Sequence, residues 1–352
     1  MANRNKFRRS AALMVVGAVA LAITLLHGCR SRNPYPDAAT KTLISGNLAG
    51  AAPALNLQPA PASLERGQYL VEGPMHCFMC HSDSDWKKPG GKYLPESKGA
   101  GHNWSDFGVP FLIAPNITPD AETGAGKWTD ATLARAIREG VGHDGRRLFP
   151  IMPYMLFSKM SDGDLASVLA YIRSIPPVHN QLPTTVLPDE IKNSLPPPQA
   201  ITEPVAEPDL SDPVRRGEYL VRLGNCTECH TPKDQRGMPL PGLEFAGGFV
   251  LKGPWGEVAS ANITPDPSGI SYYDESLFIQ TIRTGQVKAR KLNSVMPWIY
   301  FRNMSDDDLK AIFAYLRTLN AVNHRVDNTE KPTHCPVCGV VHGFGDRNQL
   351  IN

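Results

Sequence analysis

Cys77-Phe78-Met79-Cys80-His81 and Cys226-Thr227-Glu228-Cys229-His230 each place two thiols three residues apart, with an imidazole directly after the second. Two thiols so spaced can add across the vinyl groups of one porphyrin, and the adjoining His then meets one face of the iron. Cys-x-x-Cys-His is the attachment sequence of c-type haem. The bare Cys-x-x-Cys spacing also serves thioredoxin-like redox pairs and halves of zinc sites. The surroundings separate these chemistries, because they too are repeated. Arg66-Gly67-Gln68-Tyr69-Leu70-Val71 precedes the first motif and Arg216-Gly217-Glu218-Tyr219-Leu220-Val221 the second. Ala114-Pro115-Asn116-Ile117-Thr118-Pro119-Asp120 follows the first and Ser260-Ala261-Asn262-Ile263-Thr264-Pro265-Asp266 the second. Offsets between the copies drift by only a few positions, so one module is used twice, with a period too long for a solenoid. The expectation is two covalently attached haem c groups, on Cys77 and Cys80 and on Cys226 and Cys229, with His81 and His230 as proximal ligands.

A second axial ligand must come from elsewhere. Met152-Pro153-Tyr154 matches Met296-Pro297-Trp298, each ahead of the last helix of its repeat. A thioether is a soft donor; Met/His ligation raises the iron potential and fills both axial positions. The competing reading of Met152 and Met296 is core filler. Met155 has Ile299 at its matching place, and Met160 and Met304 stand where a hydrophobic staple would. His143 is the one rival distal ligand, whereas His102 and His179 have no repeat partners and read as surface or loop residues. Asn116 and Asn262 either order the loop or reach a propionate. Trp128 and Tyr273 read equally well as core aromatics.

His334-Cys335-Pro336-Val337-Cys338 with His342 imitates a third attachment site, but Gly339 stands where the His is needed. Haem is therefore excluded there. Two readings remain: a disulfide between Cys335 and Cys338, favoured by an oxidising compartment, and a metal site built from Cys335, Cys338, His342 and His334.

These groups must be positioned mainly by helices. Ser161 with Asp164, and Ser305 with Asp308, read as N-caps with acid in the first turn. Leu165, Val168, Leu169 and Ile172 then fall at helical spacing, as do Leu309, Ile312, Phe313 and Leu316. Helices are expected from Thr129 to Glu139 and from Asp274 to Thr284, each stopped by Gly. A short helix carrying Tyr69 or Tyr219 runs into each Cys motif.

This arrangement resembles class I cytochrome c, with its haem-binding helix, Met-bearing loop and C-terminal helix. The run Asn116-Ile117-Thr118-Pro119-Asp120, Trp128-Thr129-Asp130, Arg138-Glu139-Gly140-Val141, Met152-Pro153-Tyr154 and Ser161-Asp162-Gly163-Asp164-Leu165 is similar to the multihaem cytochrome c subunits of membrane-bound alcohol and gluconate dehydrogenases. Those subunits usually carry three attachment motifs, and this chain has two. The implied fold is mostly α, as two tandem class I cytochrome c domains with long Gly/Pro-rich loops. The implied activity is electron transfer and not catalysis, between a dehydrogenase or quinol-oxidising complex and a terminal acceptor. A dihaem peroxidase is the alternative, and it would need one open iron with acid/base groups above it.

Arg4, Lys6, Arg8 and Arg9 precede an apolar run from Ala11 to Leu26, too short for a membrane span of about 20 residues. The run ends in Leu26-His27-Gly28-Cys29, which resembles a bacterial lipoprotein cleavage box. The expectation is a signal peptide at 1–28 with Cys29 lipidated, or else an uncleaved anchor. Either places the body on the periplasmic side of the membrane. Removing 1–28 takes away four cations and no acid, so the formal charge falls from +2 to −2. No basic field points to nucleic acid. With 41% hydrophobic and 20% charged residues, the composition is that of an ordinary globular protein. The remaining expected segments are a tether at 29–62, domains at 63–180 and 213–325, a Pro-rich linker at 181–212 and a tail at 326–352.

Overall fold

Ser63 accepts a hydrogen bond from the Arg66 backbone N–H and starts α1 (Leu64–Glu72), which leads into the one-turn α2 (Cys77–Cys80). Thr129 caps α3 (Asp130–Glu139), and Gly140 closes it with φ at 68°. After the short α4 (Tyr154–Phe157), Ser161 caps α5 (Asp162–Ser174). A small helix, α6 (Asp189–Ser194), separates this set from its copy. The copy runs α7 (Pro213–Leu223), α8 (Cys226–His230), α9 (Glu275–Thr284), α10 (Trp298–Phe301) and α11 (Asp306–Thr318). Asp274 and Ser305 cap α9 and α11, as their types predict. Among the described residues the strands are short and pair as antiparallel two-stranded ribbons: β1 (His102–Asn103) with β2 (Ile113–Ala114), and β3 (Val250–Gly253) with β4 (Gly256–Ala259). Further ribbons pair β5 (Gln286–Val287) with β6 (Arg290–Lys291), and β7 (Pro332–His334) with β8 (Val341–Gly343). This computed structural model describes residues 63–350 apart from 108 and 110. The expected signal segment 1–28, the lipid-bearing Cys29 and the tether 29–62 lie outside the described residues. Among the described residues no helix is long and apolar enough to cross a membrane.

In each repeat the first helix crosses the last at a glycine. A Cβ on Gly67 would lie 2.0 Å from the Ser167 carbonyl oxygen, and one on Gly217 would lie 1.9 Å from that of Ala311. Backbone sits on both sides, so nothing can yield except the crossing itself. Gly67→Ala gains up to about 1 kcal/mol of helix propensity and loses more by forcing the helices apart, since overpacking costs about 1–3 kcal/mol and sometimes more. Denaturant unfolding of the haem-loaded chain should therefore show a net loss. A variant as stable as the parent would show that the crossing has slack.

The two repeats face one another through a reciprocal exchange. Arg66 on α1 holds Asp164 at the start of α5 through Nε at 2.7 Å and Nη2 at 2.8 Å. The same carboxylate accepts from the Tyr219 hydroxyl of the other repeat at 2.8 Å, and that hydroxyl accepts from the Ser161 N–H at 3.2 Å. The mirror set joins Arg216 to Asp308, and Asp308 to the Tyr69 hydroxyl, which accepts from the Ser305 N–H at 3.0 Å. Burial and Asp308 push the Tyr69 hydroxyl up to about 12, so it remains a donor at neutral pH. Tyr219, Leu223 and Tyr300 of the second repeat belong to the apolar cluster around Phe78, Leu70 and Phe157 of the first.

The Pro-rich stretch from 181 to 212 does not hang free. Thr185 exchanges hydrogen bonds with both backbone groups of Ile113, Ile201 N–H donates to Glu139, and Asp162 N–H donates to the Val205 carbonyl. Proline composition does not prevent the short α6: Pro188 is its N-cap and Asp189 and Glu190 form an acidic first turn, which suits a helix start.

The tail corrects one expectation. Cys335 and Cys338 are both buried and both free, so no disulfide joins them. The turn between β7 and β8 is closed by Cys335 N–H to Val340 O and Gly339 N–H to Cys335 O, with Gly339 at φ 70°. This turn brings both sulfurs, still unbonded, into one cluster with two buried imidazoles. His334, expected among the ligands, is exposed, because neighbours along a strand point to opposite faces and Cys335 takes the inner one. His324 occupies the inner position instead.

Candidate haem sites

The chain turns into each Cys motif through a left-handed residue, His76 at φ 38° and Asn225 at φ 54°. α2 and α8 then carry both cysteines of a motif within about one turn. All four thiols are half-buried and free. Burial pushes Cys77 and Cys226 up to about 12, and Cys80 and Cys229 up to about 11. They are therefore neutral at physiological pH, unlike a thiolate redox pair.

His81 Nδ1 lies 2.8 Å from the Pro115 carbonyl oxygen, and His230 Nδ1 lies 2.7 Å from that of Ala261. Only an N–H can meet a carbonyl, so Nδ1 carries the proton and the Nε2 lone pair is left for a metal. Burial lowers the pKa of both rings, which keeps them neutral and ligand-competent. The carbonyls that orient them come from the residues just before Asn116 and Asn262, which explains the repeated Asn-Ile-Thr-Pro segment. Asn116 Oδ1 accepts from Thr118 N–H at 2.9 Å and Oγ–H at 2.7 Å, while its amide donates to Val178 O at 2.8 Å. Asn262 repeats this with Thr264 and Val322. Both amides are committed to the protein, so they order the loop behind the imidazole and do not reach toward a propionate.

Met152 is half-buried against the cluster that includes Cys77, and Met296 against the cluster that includes Cys226. Each thioether thus packs on the core of its own repeat. Met160 and Met304 are buried beside Leu165 and Leu309 in those clusters, as staples would be. Met155 is exposed. The His143 ring stacks on Trp128, with centroids 4.1 Å apart and planes within 12°. That contact gives His143 a packing role. His179 is exposed near Asp120 and Glu122, and His102 pairs with Asp83.

The residues fit covalent haem in donor set and surroundings. Each repeat offers two neutral thiols within about one turn and an imidazole with Nε2 free. Asn225 Oδ1, adjoining Cys226, is buried without a hydrogen-bond partner among the described residues, as expected beside a large group with a polar edge. The two motifs also adjoin. Cys229 contributes to the upward shift of Cys80, and the His76 ring meets Phe301 edge-on at 5.4 Å. Sequence reading picked out the paired thiols and imidazoles that the structure brings together, but missed the carbonyls of Pro115 and Ala261. The repeated Asn-Ile-Thr-Pro segment was the only signal pointing to them.

Comparison with known proteins agrees with this geometry. The chain is 31% identical over 302 residues to the fructose dehydrogenase cytochrome subunit of Gluconobacter japonicus, covering 80% of this chain and 58% of that one. It is 35% identical over 200 residues to a nicotinate dehydrogenase subunit of Pseudomonas putida, covering 54% and 16%. It is 28% identical over 259 residues to a diheme cytochrome c-type protein of Cereibacter sphaeroides, covering 70% and 82%. The chain thus spans little more than half of the first of these relatives and a small part of the second. The cytochrome c family model matches residues 64–176 and again 214–320, the two segments that present the thiols and imidazoles described above, and the chain belongs to the cytochrome c family, whose domains hold haem c covalently.

Proposed function

We propose that this chain is a dihaem cytochrome c that relays single electrons between a dehydrogenase or quinol donor and a terminal acceptor, as the electron-accepting subunit of a dehydrogenase complex. The observation that carries this reading is the doubled site: two neutral Cys pairs, each followed by an imidazole whose Nδ1 is bound to a carbonyl. Bound haem supplies an iron that accepts and returns one electron. His81 and His230 would hold that iron through Nε2, and Met152 and Met296, on the packed loops before α4 and α10, would offer it thioether ligands. A haem held by both an imidazole and a thioether would have no open position for peroxide, which favours a carrier over a peroxidase. Adjoining motifs favour transfer within the chain. Relatives named as cytochrome subunits of fructose, alcohol and gluconate dehydrogenases support the choice of partner. We place the domain limits at 63–180 and 213–325. The N-terminal segment exports the chain and holds it on the periplasmic face, through lipid on Cys29.

Spectra of the oxidised protein, isolated from detergent-solubilised membranes, test this proposal. Two low-spin haem c groups per chain, a methionine-sulfur band and a co-purifying dehydrogenase are expected. A high-spin haem or rapid reaction with peroxide would overturn it.

A further inference from the structure

Four buried side chains outside both haem sites converge near the end of the chain. His324 follows α11, Cys335 and Cys338 flank the turn between β7 and β8, and His342 lies on β8. Their donor atoms all lie within 4.8 Å of one another. The residues are 0%, 0%, 5% and 2% exposed in that order.

Both imidazoles are committed to one tautomer. His324 Nδ1 lies 3.0 Å from the Ala246 carbonyl oxygen, and His342 Nδ1 lies 2.9 Å from that of Gly343. The protons therefore sit on Nδ1 and the lone pairs on Nε2. Yet the two Nε2 atoms face each other at 3.3 Å, and Cys335 Sγ is 3.3 Å from His324 Nε2. The Nε2–Nε2 approach sets two buried lone pairs against each other, and a cation among the four donors would relieve it. A tetrahedral zinc ion, with Zn–N near 2.05 Å and Zn–S near 2.3 Å, sets two nitrogen ligands about 3.3 Å apart and nitrogen and sulfur about 3.6 Å apart. The separations found here are close to those.

We propose that His324, Cys335, Cys338 and His342 form a tetrahedral structural zinc site that fastens the C-terminal hairpin to the second cytochrome c domain. Two sulfur and two nitrogen donors select zinc over magnesium, calcium or manganese. Four protein ligands leave no open position, which is the pattern of a structural and not a catalytic site. The surrounding groups support the ligands as outer partners do. Asn348 Nδ2 donates to Cys335 Sγ at 3.3 Å, the Cys338 N–H faces Cys335 Sγ, and the Val340 N–H faces Cys338 Sγ. Gly248, at φ 93°, lets the loop pass: a Cβ there would lie 2.7 Å from the His324 ring. The anchor reaches toward the second haem, because Gly247 N–H, next to Ala246, donates to the His230 carbonyl at 2.7 Å.

The test is elemental analysis of the intact haem-loaded chain after dialysis against a chelator, with X-ray absorption at the zinc edge. One zinc per chain, bound by two sulfur and two nitrogen atoms, is expected. His324→Ala and Cys335→Ser should lose the zinc while covalent haem remains, and His334→Ala should keep it. Absence of zinc from the parent chain would overturn the site, whether the thiols titrate freely, iron replaces zinc, or the mass is two hydrogens lower through a disulfide. Loss of zinc in His334→Ala would overturn the ligand assignment. The absorption spectrum of the parent decides the matter even if a variant fails to fold.

Discussion

Met152→His lowers the reduction potential of one haem and leaves the other essentially where it was; Met296→His does the same to the second. Both variants keep covalent haem, because the thiols and the proximal imidazoles are untouched. The thioether favours the reduced iron, and replacing it with a second imidazole removes that preference. Axial ligation spans about 0.8 V across haem proteins, so a fall on the order of 0.2 V is expected for a Met-to-His exchange. The effect stays local because each methionine packs on the core that holds its own repeat's first cysteine. An optical redox titration resolves the two steps. If either exchange leaves both potentials unmoved, that methionine is not a ligand.

Asp164→Ala weakens both the first repeat and its junction with the second. Its carboxylate, in a residue 5% exposed, holds Arg66 by two hydrogen bonds and Tyr219 by a third. Removing one partner of a buried pair costs about 3–5 kcal/mol. Arg66 is 30% exposed and can recover some water, so about 2–3 kcal/mol is expected. Tyr219→Phe, which deletes the two hydrogen bonds its hydroxyl makes across the junction, to Asp164 and from the Ser161 N–H, should cost about 1–2 kcal/mol. Denaturant unfolding of the haem-loaded chain measures both. If Asp164→Ala proves no worse than Tyr219→Phe, the Arg66 pair is not contributing and the carboxylate matters only at the junction.

Local signals were read reliably where they act within a few residues. Ser161, Ser305, Thr129 and Asp274 cap the helices their types announce, and Gly140 and Gly285 end them, because a cap is a bond between near neighbours. The two imidazoles whose Nε2 is left free were legible for the same reason, lying beside their cysteines. The tail was not. Its ligands were sought near Cys335, yet the His that arrives is His324, brought in from the far side of the hairpin, while His334 is turned outward by strand alternation. The favoured disulfide is absent on the same ground: both thiols stay free in a cluster with two imidazoles that only the fold brings over them.

The Cys-x-x-Cys-His pentapeptides and their repeated surroundings were enough, by themselves, to establish haem c chemistry, a mostly α fold and a duplicated module. Spacing along a helix carries that much. Only the tertiary structure decided how the copies meet, through Tyr69 with Asp308 and Tyr219 with Asp164, and which carbonyls orient His81 and His230. Those partners lie far apart in sequence, and their pairing follows from helix crossings packed closely at Gly67 and Gly217. No local pattern encodes such a crossing, because it depends on two surfaces fitting at once.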